Sequence, residues 1–385
     1  MAALCGFRGG SVQSELDSFF AYRAAECGLL RHVTDRALAK ARSKLHVPAL
    51  WDLNAVLIQS MQDHGLLSLW KGLRLVCADA TVLAPAQRAC HRTRHLAAPS
   101  QRALGLYLPG HEVMLHVAVG PESEGERQML FDQLDLLRPG DVLVLDRGYP
   151  STWLVQLLHQ RDIAFVIRCD STRSWKAARD VLRGADNERW VYLPPTTADK
   201  VAYWELDGPA QMHVRLVRHV SSTGRVRVLV TSLTQKQATA AELGELYHGR
   251  WRIEEAFKRL KLRLGLESVS GLSQHALLVD VATKVLADNL ASLLNRSVDC
   301  AAHSEEGADV PQQGVRRQVN RAISAKALSR CVRALLLLSH NLTSLIQDWA
   351  AMMEHSLIRH VPSRQQPRRH STHKPHPSQA YKHAA

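Results

Sequence analysis

The chain has 385 residues, 46% of them hydrophobic, and carries 49 Lys and Arg against 36 Asp and Glu, a net charge of +13. That length and apolar content exclude a wholly disordered chain and allow two or three domains. Seven cysteines without a C-x-x-C pair argue against a disulfide framework or zinc knuckle, and the basic balance favours an anionic partner, most commonly nucleic acid.

No charged segment followed by an apolar run opens the chain, and no apolar stretch is long enough to span a bilayer. The expectation is a cytoplasmic protein with no membrane association. Residues 1–70 read as a helical N-terminal region. Within it, Val33–Leu45 is a basic amphipathic run behind a Thr34 cap. That run suits DNA-end contact and equally suits a core-packing helix with a wet basic face.

The texture changes at Leu73. Leu73–Asp79 is an apolar strand ending in an acid, and Arg102–Leu108 and Val113–Val119 pair as a hairpin around Pro109-Gly110. Glu126–Leu137 reads as an amphipathic helix. Asp141–Asp146 is a strand that again ends in an acid, Thr152–Gln160 a helix and Ile163–Arg168 a strand. The expected class is α/β: a mixed sheet with flanking helices over residues 71–170. Residues 171–233 read as a β-rich insertion, with strands at Trp190–Leu193, Val201–Leu206, Met212–Val220 and Val226–Leu233. Residues 234–297 return to helix. Val298–Gln313 reads as a loop within a helical C-terminal region, 298–355, and 356–385 as a basic disordered tail.

One helical segment concentrates chemistry. Tyr247, Arg250, Glu254, Lys258 and Lys261 fall at offsets of 3, 7, 11 and 14 from the tyrosine. At about 100° per residue they share an arc of roughly 80°. Leu246, Ile253, Phe257, Leu260 and Leu264 form an apolar stripe beside it. With Asp79 and Asp146 at strand ends, Glu254 makes a third carboxylate able to join them around one or two hard divalent cations. Tyr247, Arg250, Lys258 and Lys261 would then hold neighbouring phosphates. Each acid alone has a plainer reading, as a turn residue or a solvated ion pair. Cys77 shares the strand face of Asp79 and reads as packing. Glu255 turns away from the stripe and, with Glu267, is a decoy for the third acid.

Tyr-x2-Arg-x3-Glu-x6-Lys is matched in full by Tyr247, Arg250, Glu254 and Lys261. It resembles the signature of the IS4-family DDE transposases of bacterial insertion sequences. Asp79-Ala-Thr81 resembles the family's first acid motif and Asp146-Arg-Gly148-Tyr its second. The similarity covers Thr34 to Gly271. It implies an RNase H-like catalytic core interrupted by the β-rich insertion, for which spacings of 146 − 79 = 67 and 254 − 146 = 108 leave room. It further implies two Mg²⁺ ions, with Mn²⁺ able to substitute, held by Asp79, Asp146 and Glu254. The DNA partners would be transposon-end inverted repeats and a target, engaged by a homodimer; the helical segment Val315–Met353 suits dimer contact and equally suits packing within the chain. Where the family forms a hairpin intermediate, a flipped base stacks on an aromatic of the insertion; Trp190 and Trp204 are the candidates by residue type. The alternatives are a metal-dependent nuclease or resolvase on the same core, and a catalytically silent basic DNA-binding protein.

Overall fold

A computed structural model of the chain describes residues 1–7, 10–27, 33–85, 100–169, 175–184, 186–193, 212–221, 224–305, 316–337 and 341–360. In chain order the helices are α1 (Ala2–Cys5), α2 (Val12–Cys27), α3 (Asp35–Arg42), α4 (Val47–Asp63), α5 (Glu126–Phe131), α6 (Thr152–Gln160), α7 (Lys176–Arg183), α8 (Ala240–Gly249), α9 (Arg252–Leu262), α10 (Gln274–Glu305), α11 (Arg321–Leu336) and α12 (Leu342–Glu354). The strands are β1 (Arg74–Leu83), β2 (Gln101–Leu108), β3 (Val113–Pro121), β4 (Asp141–Leu145), β5 (Ala164–Arg168), β6 (Glu188–Leu193), β7 (Met212–Val220), β8 (Val226–Thr231), β9 (Arg316–Gln318) and β10 (Ile358–His360). The expected strand Val201–Leu206, with Trp204, and the tail beyond 360 lie outside the described residues.

Eight strands form one mixed sheet in the order β3-β2-β1-β4-β5-β8-β7-β6. β2 and β3 are antiparallel, whereas β4 joins β1 in parallel and β5 joins β4 in parallel. Parallel neighbours need a crossover, and α6 supplies the one between β4 and β5. A meander of three strands followed by two parallel ones in this order is an RNase H-like core. β8, β7 and β6 then extend the same sheet, antiparallel from β5 outward, so the described strands of residues 171–233 prolong the core sheet. Arg74 fixes the β1–β4 register: its guanidinium donates twice to Asp141, the residue opposite it.

The chain divides into two compact units. One comprises Leu57–Val82 and Gln101–Phe257 and carries the sheet; the other comprises Met1–Val56, Leu83–Ser100 and Lys258–Ala385 and is mainly helical. In the sheet unit every residue of β4 is buried, as a strand covered on both faces requires. Cys77, Val142, Val144, Val166, Leu229, Leu243, Leu246 and Tyr247 form a core that fixes α8 against the parallel strands. The helical unit has separate cores, one around Leu4, Leu50, Val279 and Ala282, another around Val298, Val319, Cys331, Trp349 and Met353. A buried polar latch ties it together: Arg42 donates to Ser270, Ser270 donates to Asp280, and Lys284 donates to the Ser268 carbonyl. No described helix is long and apolar enough to cross a membrane.

Four elements differ from the sequence reading. The signature segment is two helices, α8 and α9, because Gly249 weakens the helix. Tight turns from Arg250 N–H to the Tyr247 carbonyl and from Trp251 N–H to the His248 carbonyl bridge the break. β1 continues past Asp79 to Leu83, so this acid lies within the strand. The helix expected over Glu126–Leu137 stops at Phe131, and a 3₁₀ turn at Leu134–Leu136 keeps Leu134 buried. Finally, α10 runs through much of the expected loop to Glu305, anchored by buried Val298.

Candidate active site

The strand register aligns the two aspartates. The β1–β4 pairing runs from Arg74↔Asp141 to Cys77↔Val144, so two residues further on Asp79 and Asp146 fall on the same row. β5 pairs with β4 through Leu145↔Ile167, which brings Arg168 onto that row as well. Cys77, Val144 and Val166 lie in the core beneath α8. By the two-residue strand period Asp79, Asp146 and Arg168 share that face. Asp146 is held in a tight turn, accepting from the Gly148 N–H at 2.7 Å. A side chain at Gly148 would put its Cβ 3.1 Å from Asp146 Oδ1. Burial pushes the Cys77 thiol up to about 12, which suits packing and not nucleophilic work.

Arg250 joins the third acid to this row. Its Nη1 donates to Asp79 Oδ2 at 2.8 Å and its Nη2 to Glu254 Oε1 at 3.2 Å. The arginine side chain is 6% exposed, Asp79 18% and Glu254 40%. Burial raises the Asp79 carboxyl to about 6 despite the opposing pull of Arg250, and the charge of Asp146 adds to the rise. Burial alone would favour loss of the Arg250 proton; Asp79, Tyr247 and Asp146 outweigh it and hold the guanidinium charged. Tyr149 marks the same negative field. Burial raises its phenol pKa, and Glu126, Asp79 and Asp146 raise it further. Its hydroxyl is buried without a hydrogen-bond partner among the described residues.

Tyr247 is buried, so its ring is no surface ligand. It is flanked by two cations, Arg227 with its Cζ 5.7 Å from the ring centroid and Arg250 at 5.9 Å. Arg168 hydrogen-bonds its phenol, whose pKa is raised chiefly by burial. Asp79, Asp146, Tyr247, Arg250 and Glu254 thus belong to the sheet unit, whereas Lys258 and Lys261 belong to the helical unit. Lys258 is exposed on α9, and Lys261 pairs with Glu267 at 3.3 Å. Glu267 also accepts from the Ala84 N–H, a structural duty, and Glu255 is exposed. On the outer edge, Trp190 and Tyr192 of β6 lie against His213 of β7, with ring centroids 4.8 and 4.6 Å apart. The sequence reading did not single out Glu126, Tyr149, Arg168 or Arg227. Tyr149 lies inside the quoted Asp146-Arg-Gly148-Tyr motif and was legible there; the other three depend on register and packing.

The Transposase DDE domain family matches residues 70–290. The chain belongs to the DDE transposase family. No curated protein matches it significantly. Among solved structures it is similar to the piggyBac transposase in a synaptic complex with hairpin DNA, at 11% identity and a TM-score of 0.39. The alignment covers 80% of this chain and 63% of that one. The chain therefore spans less than two thirds of the structure it matches.

A DDE transposase domain implies divalent metal. Among the described residues no three His, Cys, Asp or Glu side chains are gathered closely enough to hold an ion as they stand. The donor chemistry nonetheless fits a hard cation: the two aligned aspartates and Glu254 offer only carboxylate oxygens. One cation, the Arg250 guanidinium, already bridges two of the three. The orphaned Tyr149 hydroxyl beside Asp79, Asp146 and Glu126 is a further polar group without a partner in the described fold.

Proposed function

We propose that this DDE transposase domain cleaves DNA at transposon ends and joins the freed ends to a target. The observation that carries the reading is the shared row of Asp79 and Asp146 with Glu254 tied to it through Arg250. Asp79, Asp146 and Glu254 would hold two Mg²⁺ ions, with Mn²⁺ able to substitute. Such ions activate an attacking oxygen and stabilise the leaving oxygen in an in-line displacement at phosphorus. In the first step a water oxygen bonds to phosphorus and the 3′ oxygen of the element leaves. In the second, that 3′ hydroxyl attacks a target phosphodiester and the target's own 3′ oxygen leaves.

Other residues position the polymer. Arg168 and Arg227, held around Tyr247 beside the aspartates, suit contact with phosphates flanking the reacting one. The exposed Lys258, and Lys261 once it leaves Glu267, would neutralise more of the backbone. The spacing of Tyr247, Arg250, Glu254 and Lys261 supports reading the chain as a member of the IS4 family. The exposed Trp190–His213–Tyr192 stack offers a platform for a flipped base in a hairpin intermediate. Two copies acting in the bacterial cytoplasm would engage two inverted-repeat ends.

The test is cleavage of a transposon-end duplex. Asp79→Asn, Asp146→Asn and Glu254→Gln should each lower Mg²⁺-dependent cutting by at least about a thousandfold while end binding persists. Near-normal cutting by any of the three removes that residue from the triad.

A further inference from the structure

We propose that Arg250 is the resident counter-ion of the carboxylate site, a positioning residue that holds Asp79 and Glu254 until a divalent cation displaces it. This rests on the reading of those carboxylates as metal ligands. A guanidinium hydrogen-bonded to both acids stands where a cation shared by them would stand. Bound metal and a guanidinium on the same two oxygens would repel each other, so one must yield. Arg250 is built to yield. Its Nε is buried without a partner among the described residues, and its pair with Glu254 is the longer of the two. It stands at the break between α8 and α9, where the backbone bonds are tight turns. The Tyr247 ring, with Arg250 Cζ 5.9 Å from its centroid, provides a face along which the side chain can swing.

Without metal, the arrangement keeps two acids from repelling each other. With metal, the same guanidinium is released beside the site, where it can take up a phosphate. One arginine would therefore serve the carboxylates first and the DNA second.

Mn²⁺ binding to the full chain, measured by calorimetry without DNA, separates this from the alternatives. Arg250→Gln should bind Mn²⁺ about tenfold tighter than the natural protein, equivalent to about 1.4 kcal/mol. Unchanged or weaker binding overturns the proposal, since it makes Arg250 a bystander or an organiser that the metal needs. Asp146→Asn is the control and should weaken binding at least about tenfold. If it does not, the metal-site reading fails and the inference falls with it. If it does while Arg250→Gln fails to tighten, only the counter-ion role is lost. Should Arg250→Gln not fold, a crystal structure of the natural protein with Mn²⁺ answers the question. The Arg250 Nη1–Asp79 Oδ2 separation should open from 2.8 Å to beyond hydrogen-bonding distance; a bound metal with that contact intact overturns the proposal.

Discussion

Two buried arginines in the sheet unit show what separates a structural ion pair from a poised one. Arg215 on β7 is fully buried and engages all three of its nitrogens. Nε and Nη2 donate to Glu188 at 3.1 and 2.8 Å, and Nη1 donates to the carbonyls of Ala238 and Leu233 at 2.6 and 3.3 Å. Arg250 is nearly as buried, but it spans two acids singly and leaves Nε without a partner among the described residues. The first welds β6 and β7 to the segment that leads into α8. The second holds two carboxylates in place, and burial raises the pKa of one of them, Asp79, despite the arginine beside it. Residue type does not distinguish the two; completeness of hydrogen bonding does.

That contrast can be broken by removal. Arg215→Ala strands Glu188 and two carbonyls and should cost about 3–5 kcal/mol in urea unfolding. A loss below 1 kcal/mol would mean water replaces the guanidinium readily and the weld is no weld. A pH series sharpens the comparison, because His116 adds acid sensitivity that has nothing to do with the site. Burial lowers its pKa from 6.5 to about 4, so the folded state resists its protonation. The stability it contributes is present above pH 6.5 and drains away as pH falls towards 4, by up to roughly 3 kcal/mol. His116→Gln should flatten the unfolding free energy across that window; an unchanged slope would assign the sensitivity elsewhere.

Arg250→Gln should cost less than Arg215→Ala, about 1–2 kcal/mol without metal, since water reaches Asp79 and Glu254. If urea unfolding gave equal losses for the two arginines, the distinction between them would collapse. The smallest effect is expected at the start of α8, where Thr239 and Glu242 form a capping box. Thr239→Ala should cost about 1 kcal/mol and leave metal binding alone. A change in Mn²⁺ affinity there would show that the helix carrying Tyr247 is not rigidly docked.

Much of this was legible in the chain. The apolar runs before Asp79 and Asp146 identify their strands because a strand buried on both faces needs continuous apolar residues. The spacing of Tyr247, Arg250, Glu254 and Lys261 singles out one segment, and the structure ties two of its residues, Arg250 and through it Glu254, to Asp79. The row linking Asp79, Asp146 and Arg168 was not legible, since pairing register depends on partners distant in sequence. Glu126 opens a short helix and nothing local connects it to Asp146. The break at Gly249 was visible as a glycine, yet helical periodicity across it pointed to one straight helix. The burial of Tyr247 follows from α8 packing on the sheet, and no stripe on a helical wheel reveals it.

The central claim is that Asp79, Asp146 and Glu254 converge on divalent metal. Replacing Mg²⁺ with Fe²⁺ and triggering hydroxyl-radical chemistry cuts a polypeptide next to the bound ion, and the fragments can be mapped by mass spectrometry. Cuts should cluster near residues 79, 146 and 254 and disappear with excess Mg²⁺. Cuts confined to other segments, or equally strong in Asp146→Asn, would contradict the account.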